Sequence, residues 1–131
     1  QAYRRSLHHE ETAEAHTFLG WALSHQDKLD RAIEECHQAI QIDPDFGNPY
    51  NDIGVYELQK GNMKKAMSWF DDALRAPRYD SYCFPHFNLG RCHLYRGHFE
   101  QGARHFKEAL KERPDFEKAR DALRRIKNRL N

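Results

Sequence analysis

Nine histidines and three cysteines are the residues of this 131-residue chain best suited to hold a metal or drive a reaction. His8, His9, His16 and His25 fall near one end, and His86, His93, His98 and His105 near the other. Two metal ligands on one helical face need a spacing of three or four. His9 and His16, His86 and His93, and His98 and His105 are instead each seven apart. Seven residues make two turns, which is the same face but about 10 Å along the axis. That is too far for a single zinc ion. Cys92 and His93 are adjacent and point apart. The spacing therefore predicts no metal site and no cofactor, with exposed histidines near neutrality at pH 7. Cys36, Cys83 and Cys92 are odd in number and form no CxxC pair. They read as free thiols in a reducing compartment. No nucleophile elbow, phosphate loop or paired-carboxylate motif is present, so no enzymatic activity is expected.

The composition is that of one domain or a short array. Hydrophobic residues are 39%, charged residues 31%, and the net charge is +1. Nothing in that balance calls for nucleic acid or an acidic substrate. The charge is uneven, however: residues 1–62 hold five Lys/Arg against eleven Asp/Glu, and residues 63–131 sixteen against nine. Such asymmetry favours electrostatic steering or head-to-tail contact. No apolar run reaches membrane-spanning length. "QAYRRSLHHEE" lacks the apolar core of a signal peptide, and a cytoplasmic location is expected, although a removed targeting signal is compatible with the sequence. The absence of an initiating Met suggests a fragment or a processed chain.

The elements that must position these residues repeat. Gly20 and Gly54 are 34 apart, as are Ala32 and Ala66, and Ala39 and Ala73. The next interval is 36, from Gly54 to Gly90, Phe70 to Phe106 and Ala73 to Ala109, with the extra two residues in "APRYDSYCFP". Three segments align: Ala13–Phe46, Gly47–Asp80 and Cys83–Phe116. Each holds two amphipathic stretches of helical length separated by "SHQDK", "QKGNM" or "YRGHF". Gly61 and Gly97 supply two of these breaks. Asp27 supplies the third, in a "DKLD" able to cap the following helix. Nothing alternates with strand period. Residues 117–131 restart a first-helix pattern and stop, as a solvating terminal cap does. Residues 1–12 extend the first helix or fray. Pro49 aligns with Pro85, each where a helix begins, and Asn48 before Pro49 reads as an N-cap.

A helix pair repeated every 34 residues resembles the tetratricopeptide repeat. The matching residues are Leu19-Gly20, Ile53-Gly54 and Leu89-Gly90; the small residues Ala32 and Ala66, with Gly102 as a departure; Ala39, Ala73 and Ala109; and the apolar Cys36, Phe70 and Phe106 between them. Pro44 and Pro114 close two repeats, and Pro77 comes one place early in the other. Gly102 is expected to loosen the last pair by about 0.5–1 kcal/mol relative to Ala. "IDPDFGNPYNDIG" with "FPHFNLG" also resembles small bacterial tetratricopeptide proteins of unassigned function.

The resemblance implies an all-α, right-handed superhelical solenoid of three repeats plus a C-terminal capping helix (117–131). It also implies a concave groove, lined by first helices, that binds a peptide or protein segment. Carried over by position, the lining includes Thr17, Trp21, Ser24 and His25 from the first repeat. The second gives Asn48, Asn51, Val55, Leu58 and Gln59. The third gives Phe84, Phe87, Arg91, Leu94 and Tyr95, and the last helix gives Lys118, Asp121, Arg125 and Asn128. Trp21, Asn51, Val55, Leu58, Phe84, Phe87, Arg91, Tyr95 and Arg125 form the expected binding groove. Aromatics there can take apolar anchors, Arg91 a carboxylate, and Asn51, with no evident structural role, a peptide backbone.

Some family members clamp the acidic tails of heat-shock chaperones with Lys, Asn and Arg. The matching positions here are Thr17, Trp21, Asp52, Phe84 and Asn88, and none fits, so that ligand is not expected. Two other functions fit the charge pattern: self-assembly through exposed repeat ends, and RNA or acidic-partner binding by the basic last helix. For RNA, that helix carries Lys118, Arg120, Arg124, Arg125, Lys127 and Arg129. Its aromatics are too few for base stacking, and positive charge near its C-terminus suits the helix dipole.

Overall fold

The computed structural model describes residues 11–130. Among them are seven α-helices and no named strand. These are α1 (Ala13–His25), α2 (Leu29–Ile42), α3 (Asn48–Gln59), α4 (Met63–Arg75), α5 (Cys83–Tyr95), α6 (Phe99–Glu112) and α7 (Glu117–Leu130). They fall into two compact units, one running to Tyr79 and one from Asp80. The expected extension of the first helix stops at Thr12, whose extended backbone and hydroxyl cap α1 by accepting the Ala15 N–H at 3.0 Å. The remainder of that expectation, residues 1–10, lies outside the described residues.

In the first unit α1 pairs with α2, α3 pairs with α4, and α2 also packs on α3. The second helices bury a stripe at i, i+4 and i+7: Ala32, Cys36 and Ala39 in α2, and Ala66, Phe70 and Ala73 in α4. A small residue on each side of the larger one lets two helix backbones approach closely. Glycine completes the approach from the first helix. A methyl group on Gly20 would lie 3.0 Å from the Ala32 carbonyl, and one on Gly54 would run into the Phe70 ring.

The second unit repeats this arrangement. Gly102, Phe106 and Ala109 form the stripe of α6, and a methyl on Gly90 would come within 2.6 Å of Phe106. A methyl on Gly102 would meet the Gly90 carbonyl at 3.2 Å, so the looseness expected of a helix-interior glycine is set against a tight contact that it relieves. Glycine allows the approach at that point. Helix α7 covers α6 with buried Ala119 and Ile126. Phe116 caps the same cluster, its ring tilted against Phe87 at 5.0 Å.

Turn chemistry departs from the sequence expectation twice. Asp27 does not cap α2. It adopts the left-handed backbone (φ 63°) that Gly61 (φ 87°) and Gly97 (φ 80°) adopt in the other breaks, and α2 has no side-chain cap. Asn48 does not cap α3 either. It is the first helical residue, Gly47 takes the cap position, and Pro49 follows in the first turn. A side chain at Gly47 would collide with the Tyr79 ring, which explains glycine there.

Candidate functional site: the first-helix faces

Four of the five exposed large hydrophobic side chains among the described residues lie on first helices. On α1, Phe18 is 65% exposed and Trp21 50%. Their rings stack at 5.7 Å, and His25 lies 4.2 Å from Trp21 on its other side. On α5, Phe84 is 37% exposed and Tyr95 83%. The periodicity explains their orientation. Ala13, His16, Thr17, Gly20 and Leu23 take the buried face of α1, so Phe18, Trp21 and His25 at i, i+3 and i+7 must face away from it.

The face of the first unit continues onto α3, which touches α1 directly. Val55 and Leu58 are partly buried, and Val55 packs on the core of Leu23, Ile53 and Tyr56. Asn51 is buried and already engaged within the fold, so the idea that it lacks a structural role is corrected. Asp52 was read only as a mismatch to the chaperone clamp, yet it is the least compensated acid of this region. It is partly buried on α3, and no hydrogen bond or ion pair reaches it from the described residues. Burial raises its carboxyl to about 7. Cys36 and Tyr56 are its close neighbours, and its charge helps push both higher, after burial itself. Tyr56 in turn meets the Ser24 hydroxyl, and Ser24 donates to the Trp21 carbonyl at 2.6 Å. Asp52 and the exposed aromatics thus lie on two helices of one unit that touch, α3 and α1.

In the second unit Phe87 is not a free anchor. It is wedged between Phe106 (5.7 Å) and Phe116 (5.0 Å). Exposed Arg91 lies over it, 5.7 Å from the ring centre. Phe84 sits edge-on to Phe116 at 5.7 Å with the Arg113 guanidinium nearby. Arg125 is exposed on α7.

Of the described histidines, His25, His37 and His98 are exposed as expected from spacing, whereas His16 is buried and His86, His93 and His105 are partly so. His16 is buried between Glu35 (2.7 Å) and Glu11 (2.9 Å). Burial opposes its charge, but the two carboxylates prevail and hold it above its ordinary value. His86 Nδ1 lies 3.2 Å from His105 Nδ1, and His93 stacks on His105 at 5.5 Å. Burial lowers His86, against the pull of Glu108 and Glu112. The His16–Glu35 and His86–His105 contacts each span 19 residues, across a helix pair. Spacing within one helix could not reveal them, whereas the repeat alignment could: His16 and Glu35, Tyr50 and Trp69, and His86 and His105 occupy one recurring slot. Among the described residues no three His, Cys, Asp or Glu side chains converge as metal ligands.

Sequence reasoning also missed Arg78. It binds Asp43 (2.8 Å) and Glu14 (3.1 Å), covers the Phe46 ring at 4.2 Å, and its carbonyl accepts the Gly47 N–H at 3.1 Å. It lies in "APRYDSYCFP", whose loop-like composition hid its role.

Residues 13–46 and 83–116 match the profile described as "Tetratricopeptide repeat", together more than half of the chain. The chain belongs to the tetratricopeptide repeat family. The human mitochondrial import receptor subunit TOM70 is 38% identical over 52 residues, which is 40% of this chain and 9% of that receptor. The rat protein of the same name is 36% identical over 52 residues, 40% of this chain and 8% of its own length. The chain thus spans less than a tenth of these relatives. Among solved structures, the first tetratricopeptide repeat domain of Spaghetti (RPAP3), bound to the HSP90 peptide SRMEEVD, is similar with a TM-score of 0.83 and 20% identity. The similarity covers 92% of this chain and 96% of that one. The Arabidopsis OM64 domain of this family gives 0.81 at 17% identity, covering 91% and 97%. At such identities the agreement concerns the fold, an all-α tetratricopeptide solenoid.

Proposed function

We propose that this chain is a non-enzymatic interaction module that holds a peptide or protein segment on its first-helix faces, within repeats at 13–46, 47–80 and 83–116 and a cap from 117. The observation that carries the reading is the concentration of exposed large apolar side chains on α1 and α5. Exposed aromatics of this kind supply contact area at small entropic cost and dominate binding energy where they are buried by a partner. In the first unit Trp21 is the proposed anchor, with Val55 and Leu58 as further contacts; in the second unit Phe84 and Tyr95 are the proposed anchors, with Arg91 and Arg125. Phe87 and Asn51 act as supports beneath the surface. RNA binding by α7 is disfavoured, because several of its basic side chains have internal uses. Arg120 donates to the Pro114 carbonyl at 2.6 Å, Arg124 pairs with Asp121 at 3.6 Å, and Arg129 covers the Phe99 ring at 5.2 Å.

The peptide SRMEEVD belongs to its own complex. Here the unpaired Asp52 opposes an acidic tail, and we expect that peptide not to bind. The test of the module reading is an array of immobilised 12-residue peptides probed with the full chain and with Trp21→Ala and Phe84→Ala. Both side chains are exposed, so folding should survive. Loss of captured peptides in either variant supports the reading. Capture by both variants equal to that of the parent chain overturns it.

A further inference from the structure

We infer that the α1–α3 face receives a segment presenting a lysine or arginine beside an apolar residue, with Asp52 taking the cation and Trp21 and Phe18 taking its neighbour. The inference rests on the module reading above and specifies the partner. Three observations converge on it. The first is the carboxylate itself: Asp52 is partly buried, yet no donor or cation of the described residues reaches it. The groups that sense its charge, Cys36 and Tyr56, are a thiol and a phenol kept neutral by burial, and they supply no positive charge. The second is the aromatic pair, stacked at 5.7 Å and exposed along α1. Its ring faces attract an incoming ammonium or guanidinium as well as an apolar side chain. The third is the background charge, five Lys/Arg against eleven Asp/Glu over residues 1–62, which draws cations toward this part of the chain.

The physical argument concerns water. A buried ion pair usually gains little, because both charges must be stripped of hydration before they meet. Here the carboxylate is already partly dehydrated by folding. Only the incoming cation must shed water, and its attraction to Asp52 acts across a poorly screened space. The raised carboxyl is consistent with this state. A carboxylate arriving at the same place would meet repulsion instead, which separates this surface from one built for acidic tails.

The experiment takes the strongest Lys- or Arg-containing peptide from the array and resynthesises it with that residue replaced by norleucine and by glutamate. Fluorescence anisotropy then compares these probes, and SRMEEVD, on the parent chain and on Asp52→Asn. On the parent chain, norleucine should weaken binding about tenfold and glutamate more, with SRMEEVD weakest. On Asp52→Asn, norleucine should cost less than about twofold. That variant removes an uncompensated charge without changing shape, so it should melt at or above the parent temperature. Equal losses on both proteins, or tightest binding of acidic probes, overturn the inference while leaving the module reading intact. Binding indifferent to Trp21→Ala overturns this inference, and indifference to Phe84→Ala as well overturns the module reading with it. Self-association abolished by Asp52→Asn would assign the face to a second copy and overturn the peptide as occupant.

Discussion

At the scale of single residues, the two groups with the most unusual surroundings in the first unit titrate with the same sign. A carboxyl held near 7, above its unfolded value near 4, binds its proton more tightly when folded. Asp52 therefore contributes stability that is fully present below pH 4 and lost as pH rises through 7. His16 is also held high, so its pairing with Glu35 and Glu11 is worth most below its unfolded value and is lost as pH rises through its folded one. Asp52→Asn should flatten the fall in melting temperature between pH 5 and 8. A profile parallel to that of the parent chain would show that Asp52 has its proton in an ordinary environment. At neutral pH the variant should gain on the order of 1–3 kcal/mol from the lost uncompensated charge. Neither residue was legible in these terms from sequence. Asp52 was noticed because it broke an expected motif, and His16 was placed by helix-internal spacing, whereas its partner Glu35 lies on the next helix.

At the scale of elements, the helix pairs follow from small residues and turns, and here sequence was informative. Gly20, Gly54 and Gly90, with Ala or Gly opposite, recur at intervals of 34 and 36 because a methyl there would meet the Ala32 carbonyl, the Phe70 ring and the Phe106 ring. Gly54→Ala should cost roughly 1–3 kcal/mol through overpacking against Phe70. Phe70→Ala and Phe106→Ala, both fully buried, should cost about 3–5 kcal/mol each, measured by chemical denaturation. The turns test the reverse case. Asp27 occupies a left-handed backbone that its counterparts Gly61 and Gly97 adopt without steric cost. Asp27→Gly should stabilise the chain by up to about 1 kcal/mol, and an unchanged or lowered denaturation midpoint would contradict that assignment. Repeat spacing identified the break but not the handedness of its backbone, since Asp also reads as a cap. The loop at Arg78 was illegible for a different reason. Its hydrogen bonds run to Asp43 and Glu14, 35 and 64 residues away, and local composition carries no trace of them.

At the scale of the whole chain, the groups that titrate unusually in the two units predict opposite responses to pH. His86 in the second unit is pushed below its ordinary value, so its contribution is complete above pH 6.5 and is lost as pH falls through its folded value. His105, Glu108 and Glu112 face it, and the glutamates soften the loss without reversing it. Lowering pH from 7.5 to 5.5 should slow amide exchange in α1–α3 and speed it in α5 and α6, once intrinsic rates are corrected. Uniform change in both units would remove the opposition. The buried cysteines give this chain its own clocks. Cys36 lies in one unit and Cys83 and Cys92 in the other, all free thiols with acidities suppressed first by burial. A thiolate cannot form readily while the helices stay closed. An alkylating reagent should therefore register only the moments when a unit opens, and the labelled peptide, read by mass, would say which of the two had opened.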